Sequence, residues 1–129
     1  WLASAAETYK GKVYTIELTE PKFQLAKRYI KKAGLEKSVQ QIKGSIKDVL
    51  KKWTKKIDFV FLDADKPNYK IYLKLLEPHL TKNAVIIADN ATDFAEHMKD
   101  YLAYLDKSPH YQSLILDMDH GLSISVKTS

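Results

Sequence analysis

The segment Ile57-Asp58-Phe59-Val60-Phe61-Leu62-Asp63-Ala64-Asp65-Lys66 changes character in its middle. Phe59 to Leu62 is an unbroken apolar run of strand-forming residues. Such a run suits a strand buried on both faces, as in a parallel sheet covered by helices. Two carboxylates and an ammonium follow at once, and Pro67 can occupy the first position of a helix. A second segment repeats the move: Ala84-Val85-Ile86-Ile87-Ala88 is apolar and ends in Asp89-Asn90. Open α/β sheets bind ligands at the carboxyl ends of their strands. If the two strands are parallel neighbours, Asp63, Asp89 and Asn90 converge on one crevice.

Outward from these strands the pattern alternates. Trp1 to Tyr9 reads as the last turns of a helix, Lys12 to Leu18 as a strand, and Pro21 to Ala33 as a helix capped by Thr19 or Glu20. Gly34 sits where a left-handed helix cap belongs. Ser38 to Ile42 is a second strand, and Ile46 to about Trp53 a short basic helix. After Pro67, the residues Tyr69, Tyr72, Leu73, Leu76 and Leu80 form one apolar helical stripe. Asp93 is read as the cap of a helix carrying Phe94, Met98, Tyr101, Leu102 and Leu105, which Ser108-Pro109 ends. Tyr111–Leu116 and Leu122–Val126 are strands whose five-residue connection suits an antiparallel hairpin. The expected class is α/β, a mostly parallel sheet with an antiparallel pair at its end.

A length of 129 residues fits a single domain spanning 1–129. No apolar run approaches membrane-spanning length, and Trp1–Ala6 lacks the basic flank of a signal peptide. The chain has no cysteine, which excludes disulfides, thiolate zinc sites and a cysteine nucleophile. A cytoplasmic location is the simplest reading. The net charge of +5 permits a nucleic-acid partner without demanding one.

Asp63, Asp89 and Asn90 offer only oxygen donors, a set that suits Mg²⁺, Ca²⁺ or Mn²⁺ rather than zinc. Asp and Asn are also the default turn and cap residues, and spacing alone favours that plainer role. Glu17, ending the first strand, is either an exposed strand-end carboxylate or an acceptor for two ribose hydroxyls. Lys66 is either a solvated lysine or a general base beside a bound cation. The four histidines show no metal-ligand spacing and receive no role; His120 lies in the final hairpin turn. The run Lys43, Lys47, Lys51, Lys52, Lys55, Lys56 is most simply a solvated face.

Several of these pieces, in this order, resemble one family. Ile-Glu-Leu at Glu17, Ala-Gly-Leu at 33–35, Phe-Leu-Asp-Ala-Asp-Lys-Pro-Asn-Tyr at 61–69, Ala-Asp-Asn at 88–90 and Gly-Leu-Ser-Ile-Ser at 121–125 are similar to motifs of the cation-dependent O-methyltransferases. That class contains the catechol and caffeoyl-CoA enzymes. The resemblance implies a Rossmann-like methyltransferase sheet and the use of S-adenosylmethionine with a divalent cation, Mg²⁺ first among them. It implies that Glu17 holds the cofactor's ribose and that Ser45 and Ile46 line its adenine. Asp63, Asp89 and Asn90 would bind the metal, Asp63 also lying near the cofactor's amino group, and Lys66 would take the substrate proton. The implied acceptor is a small catechol-like diol; the alternatives are an RNA hydroxyl, which the basic helices would favour, and a folded fragment with no activity of its own. The implied assembly is a homodimer. The chain departs from the family in three places. It opens within the helix that should follow the family's first, central strand and glycine-rich loop, so that strand is expected to be missing. Ser45 stands where close relatives carry an acidic residue. The family's longer loop after Ala-Asp-Asn is not expected, because Asp93 reads as a helix start.

Overall fold

The computed structural model describes all 129 residues. The chain divides into two compact units, Trp1–Lys52 and Trp53–Ser129. No helix is long and apolar enough to cross a membrane.

The first unit runs α1 (Leu2–Thr8), β1 (Val13–Glu17), α2 (Glu20–Lys32), β2 (Val39–Lys43), α3 (Ile46–Lys51). β1 and β2 form a two-stranded parallel ladder in which Glu17 faces Lys43. Thr19 is the extended residue before α2, and Pro21 sits in its first turn, where a missing N–H costs nothing. Gly34 ends α2 with φ of +69°, the left-handed cap expected from the sequence. Only Ala3, Ser38 and Leu50 are fully buried in this unit. The Ser38 hydroxyl donates to Glu7 at 2.6 Å and ties the start of β2 to α1.

The second unit runs β3 (Ile57–Leu62), α4 (Tyr69–Leu76), β4 (Leu80–Asp89), α5 (Lys99–Lys107), β5 (Tyr111–Leu116), β6 (Leu122–Lys127). Its sheet has the order β3-β4-β6-β5, with β3 parallel to β4 and the other pairs antiparallel. The parallel pair followed by a hairpin is the arrangement the sequence predicts.

The core of this unit comes from alternate strand residues and the apolar stripes of α4 and α5. Val60, Leu62, Ala84, Ile86 and Ala88 are buried, with Tyr69, Tyr72, Leu73 and Leu76 of α4 and Tyr101 and Leu105 of α5. Ser123 and Ser125 of β6 are equally buried. The Ser125 hydroxyl accepts from Ser113 at 2.9 Å.

Three expectations need correction. β3 is covered on one face only: Phe59 and Phe61 are 39% and 45% exposed while Val60 and Leu62 are buried. Leu80 begins β4 instead of extending α4, because Pro78 lies in a single 3₁₀ turn, Glu77–His79, that ends the helix. A proline inside a helix removes a backbone donor and clashes with the preceding turn. Asp93 caps nothing: a 3₁₀ turn at Ala95–Met98 precedes α5, and the Asp93 carboxylate pairs instead with His120. The connection after Asn90 is therefore longer than the sequence suggested.

Candidate active site

In the second unit, Leu62 and Ala88 are the last ladder partners of β3 and β4. Asp63 and Asp89 are the next residues of two adjacent parallel strands, whose axes lie about 4.8 Å apart. The convergence expected from the sequence therefore holds for the two backbone positions. The Lys66 ammonium lies 3.1 Å from Asp63 Oδ1. Lys66 is largely covered, with its side chain 13% exposed, whereas that of Asp63 is 56% exposed. Burial alone would push the lysine pKa down. The side chains of Tyr69 and Asp63 outweigh it, so the pKa lies above the ordinary lysine value. In this arrangement Lys66 holds its proton.

The Asp63–Tyr69 turn is tightly bonded. The Tyr69 hydroxyl donates to the Leu62 carbonyl and accepts from the Ala64 N–H, both at 3.1 Å. Asp65 accepts from the Asn68 amide and the Tyr72 hydroxyl. Burial, then the Asp65 carboxylate, push the Tyr72 pKa up to about 12.

At the end of β4, Asp89 Oδ1 accepts from the Asn90 N–H at 2.8 Å. Asn90 has φ of +64°, a left-handed conformation that Asn tolerates better than most residues. Its carbonyl accepts from the Phe94 N–H at 3.1 Å. The hairpin turn closes on the same corner: Ala91 N–H donates to Gly121 O at 2.9 Å and Thr92 N–H to His120 O at 3.1 Å. Gly121 has φ of +79°, and a Cβ there would meet the Thr92 backbone nitrogen at 2.6 Å. His120 pairs with Asp93, which raises its pKa.

These donors fit a hard divalent cation by their chemistry. Asp63, Asp89 and the Asn90 carboxamide present only oxygens as ligands, and Asp63 already carries a cation in the form of the Lys66 ammonium. No three His, Cys, Asp or Glu side chains are grouped so that they could hold a metal ion by themselves. A cation here would need the Asn90 amide and outside ligands to complete its shell.

The first unit holds the remaining predicted residues. Glu17 Oε1 accepts from Thr19 N–H at 2.9 Å and Thr19 Oγ1 at 3.1 Å. The Thr19 backbone hydrogen bond is the main cause of a carboxyl pKa below the ordinary value, so Glu17 is ionised at neutral pH. Both bonds fall on one oxygen. Gly44 N–H donates to Glu17 O at 3.1 Å, which brings Ser45 beside the end of β1. Ser45 caps α3: its Oγ accepts from Asp48 N–H at 3.1 Å and donates to Asp48 Oδ2 at 2.9 Å. Ile46 is the first residue of α3 and is half-buried.

Sequence reasoning missed Tyr69 and Thr19. Tyr69 reads as one member of an apolar stripe, although a buried tyrosine hydroxyl usually finds a partner. Thr19 is the cap of α2 that the sequence suggests, its carbonyl accepting from Phe23 N–H at 3.0 Å; what the sequence does not show is that its N–H and Oγ1 go to Glu17.

Residues 2–119 match the model of a family described as O-methyltransferase. The chain is 25% identical over 138 residues to the caffeoyl-CoA O-methyltransferase of Medicago sativa, covering 88% of this chain and 56% of that protein. It is 32% identical over 91 residues to the catechol O-methyltransferase of Mycobacterium tuberculosis, covering 70% and 41%. Among solved structures, the O-methyltransferase from Bacillus cereus in complex with SAH superposes with a TM-score of 0.82 at 22% identity, covering 92% of this chain and 63% of that one. The O-methyltransferase TomG from Streptomyces achromogenes, in complex with SAM, gives 0.85 at 20% identity, covering 92% and 63%. The chain thus spans about half the length of these curated relatives. With the family model matched over nearly the whole chain, and the same fold in those structures, the chain belongs to the O-methyltransferase family.

Proposed function

We propose that the protein transfers a methyl group from S-adenosylmethionine to one hydroxyl of a small catechol-like diol, with the help of a divalent cation, Mg²⁺ in the first instance. The observation that carries this reading is the strand-end pair Asp63 and Asp89, on adjacent parallel strands, with Lys66 held on Asp63. The catechol and caffeoyl-CoA O-methyltransferases among its relatives support the choice of acceptor class.

S-adenosylmethionine supplies an electrophilic methyl group, and a cation on Asp63, Asp89 and Asn90 would supply the charge that makes a neighbouring hydroxyl acidic. The chain's own residues have four tasks. Glu17 offers its carboxylate to the ribose hydroxyls. Ser45 and Ile46 border the adenine through the start of α3. Asp63 and Asp89 orient the acceptor oxygens, and positioning of this kind supplies much of the rate in methyl transfer. Lys66 Nζ, once its own proton has passed to solvent, would receive the proton that leaves the hydroxyl. That last role requires Lys66 to give up its present pairing, since Asp63 and Tyr69 now favour the charged ammonium.

The test is a methyl-transfer assay on the full-length protein with S-adenosylmethionine and 3,4-dihydroxybenzoate, read by mass spectrometry. A product heavier by one methyl group supports the reading. Transfer to RNA but not to any catechol overturns the acceptor class, and failure to bind S-adenosylmethionine overturns the whole.

A further inference from the structure

Tyr69 opens α4 and is completely buried, at 0% exposure. Its hydroxyl lies between two backbone groups, the Leu62 carbonyl and the Ala64 N–H, each at 3.1 Å. The first belongs to the peptide unit that precedes the Asp63 Cα and the second to the unit that follows it. Peptide units are rigid planes, so the φ and ψ of Asp63 are the only soft torsions between them. One oxygen bonded to both planes restrains those two torsions, and with them the Asp63 Cα–Cβ direction from which the carboxylate reaches Lys66.

The same ring touches the other functional group of the turn. Lys66 Nζ lies 5.4 Å from the Tyr69 ring centroid, within the range of a cation–π contact, and 3.1 Å from Asp63 Oδ1. The ring is itself held by an edge contact with Tyr101, at 5.7 Å between centroids and 82° between planes. Tyr101 is only 1% exposed, so Tyr69 has little room to swing away.

We propose that Tyr69 is a positioning residue that sets the Asp63 carboxylate and the Lys66 ammonium in one mutual orientation. This rests on the reading of Asp63 as a cation ligand and Lys66 as the group that handles the substrate proton. A tyrosine that merely stiffened the turn would affect stability and leave the folded site unchanged.

The experiment is a titration of the full-length protein with Mn²⁺ alone, followed by water-proton relaxation well below the melting temperature, for the parent, Asp63→Ala, Tyr69→Phe and Tyr101→Phe. The proposal expects Asp63→Ala to abolish binding, Tyr69→Phe to weaken it about tenfold, and Tyr101→Phe to leave it unchanged. A Tyr69→Phe protein that melts earlier but binds Mn²⁺ like the parent overturns the proposal while Asp63 keeps its role. Parental binding by Asp63→Ala, or no binding by the parent, removes the reading of Asp63 and the proposal with it. Should Tyr69→Phe fail to fold, the Ala64 amide of the parent decides. Slow hydrogen exchange there supports the bridge, and exchange at the rate of an open loop overturns it.

Discussion

Tyr69 and Tyr101 pack edge to face, both are buried, and the same substitution should affect them in opposite directions. The Tyr101 hydroxyl is buried without a hydrogen-bond partner, with Ser123 near it. A buried unpaired polar group costs about 1–3 kcal/mol, which Tyr101→Phe would recover. The space vacated, roughly 10 Å³, costs back roughly 0.2 kcal/mol at about 24 cal/mol per Å³. Tyr101→Phe should therefore stabilise the protein by about 1–3 kcal/mol. Tyr69→Phe removes two hydrogen bonds, each worth about 0.5–1.5 kcal/mol net, and leaves the Leu62 carbonyl and Ala64 N–H without that partner. It should destabilise by about 1–3 kcal/mol. Urea unfolding of the two variants, with unchanged m-values, gives both numbers directly. Tyr101→Phe destabilising by about 1 kcal/mol or more would refute the reasoning, because it would mean that the hydroxyl has a partner after all.

Three further outcomes are expected. Glu17→Ala should weaken S-adenosylmethionine binding by about 1.5–3 kcal/mol per charged hydrogen bond lost, measured by calorimetry; coincident isotherms would leave Glu17 as the anchor of Thr19 only. Because its folded pKa lies below the ordinary glutamate value of 4.5, the Glu17 carboxylate stays charged as pH falls from 7 to 5, and its contribution fades only below 4.5. Gly121→Ala should destabilise by more than the roughly 1–2 kcal/mol of a left-handed alanine, since its Cβ would also meet Thr92, and thermal unfolding reads the loss. The His120–Asp93 pair contributes while the imidazole is charged, fully below the ordinary histidine value of 6.5, and loses this as pH rises through the raised pKa. A proton NMR titration should show the His120 midpoint falling in Asp93→Asn, and an unmoved midpoint would show the pair to be inert.

The parallel pair β3 and β4 was legible because each carries an apolar run that ends abruptly in charge, as Phe59–Leu62 does before Asp63. The stripe of α4 was legible for the same reason, up to Leu76. Leu80 keeps the helical spacing but follows Pro78, and the proline overrides the periodicity. Phe59 and Phe61 illustrate a different limit. An apolar run announces that both faces favour burial, but not whether this chain supplies the cover for both. Asp93 could cap a helix or pair with a distant cation. The distant group, His120, lies 27 residues away and has no local signature. The candidate site was legible as residue types at strand ends, with Asp63 and Asp89 one step past the Leu62–Ala88 ladder pair. The raised Lys66 pKa was not legible, because it depends on the Tyr69 and Asp63 contacts that only the folded turn creates.

The central claim is that Asp63 and Asp89 hold a cation that methyl transfer needs. The direct measurement is the initial rate of transfer from methyl-labelled S-adenosylmethionine to a catechol by the full-length protein, after chelation and after Mg²⁺ is restored, in the parent, Asp63→Ala and Asp89→Ala. The account predicts that the parent loses its activity with the chelator and regains it with Mg²⁺, while both variants stay folded and inactive under either condition. Transfer by the parent at an undiminished rate in the presence of the chelator, or by either variant at the parental rate, would contradict it.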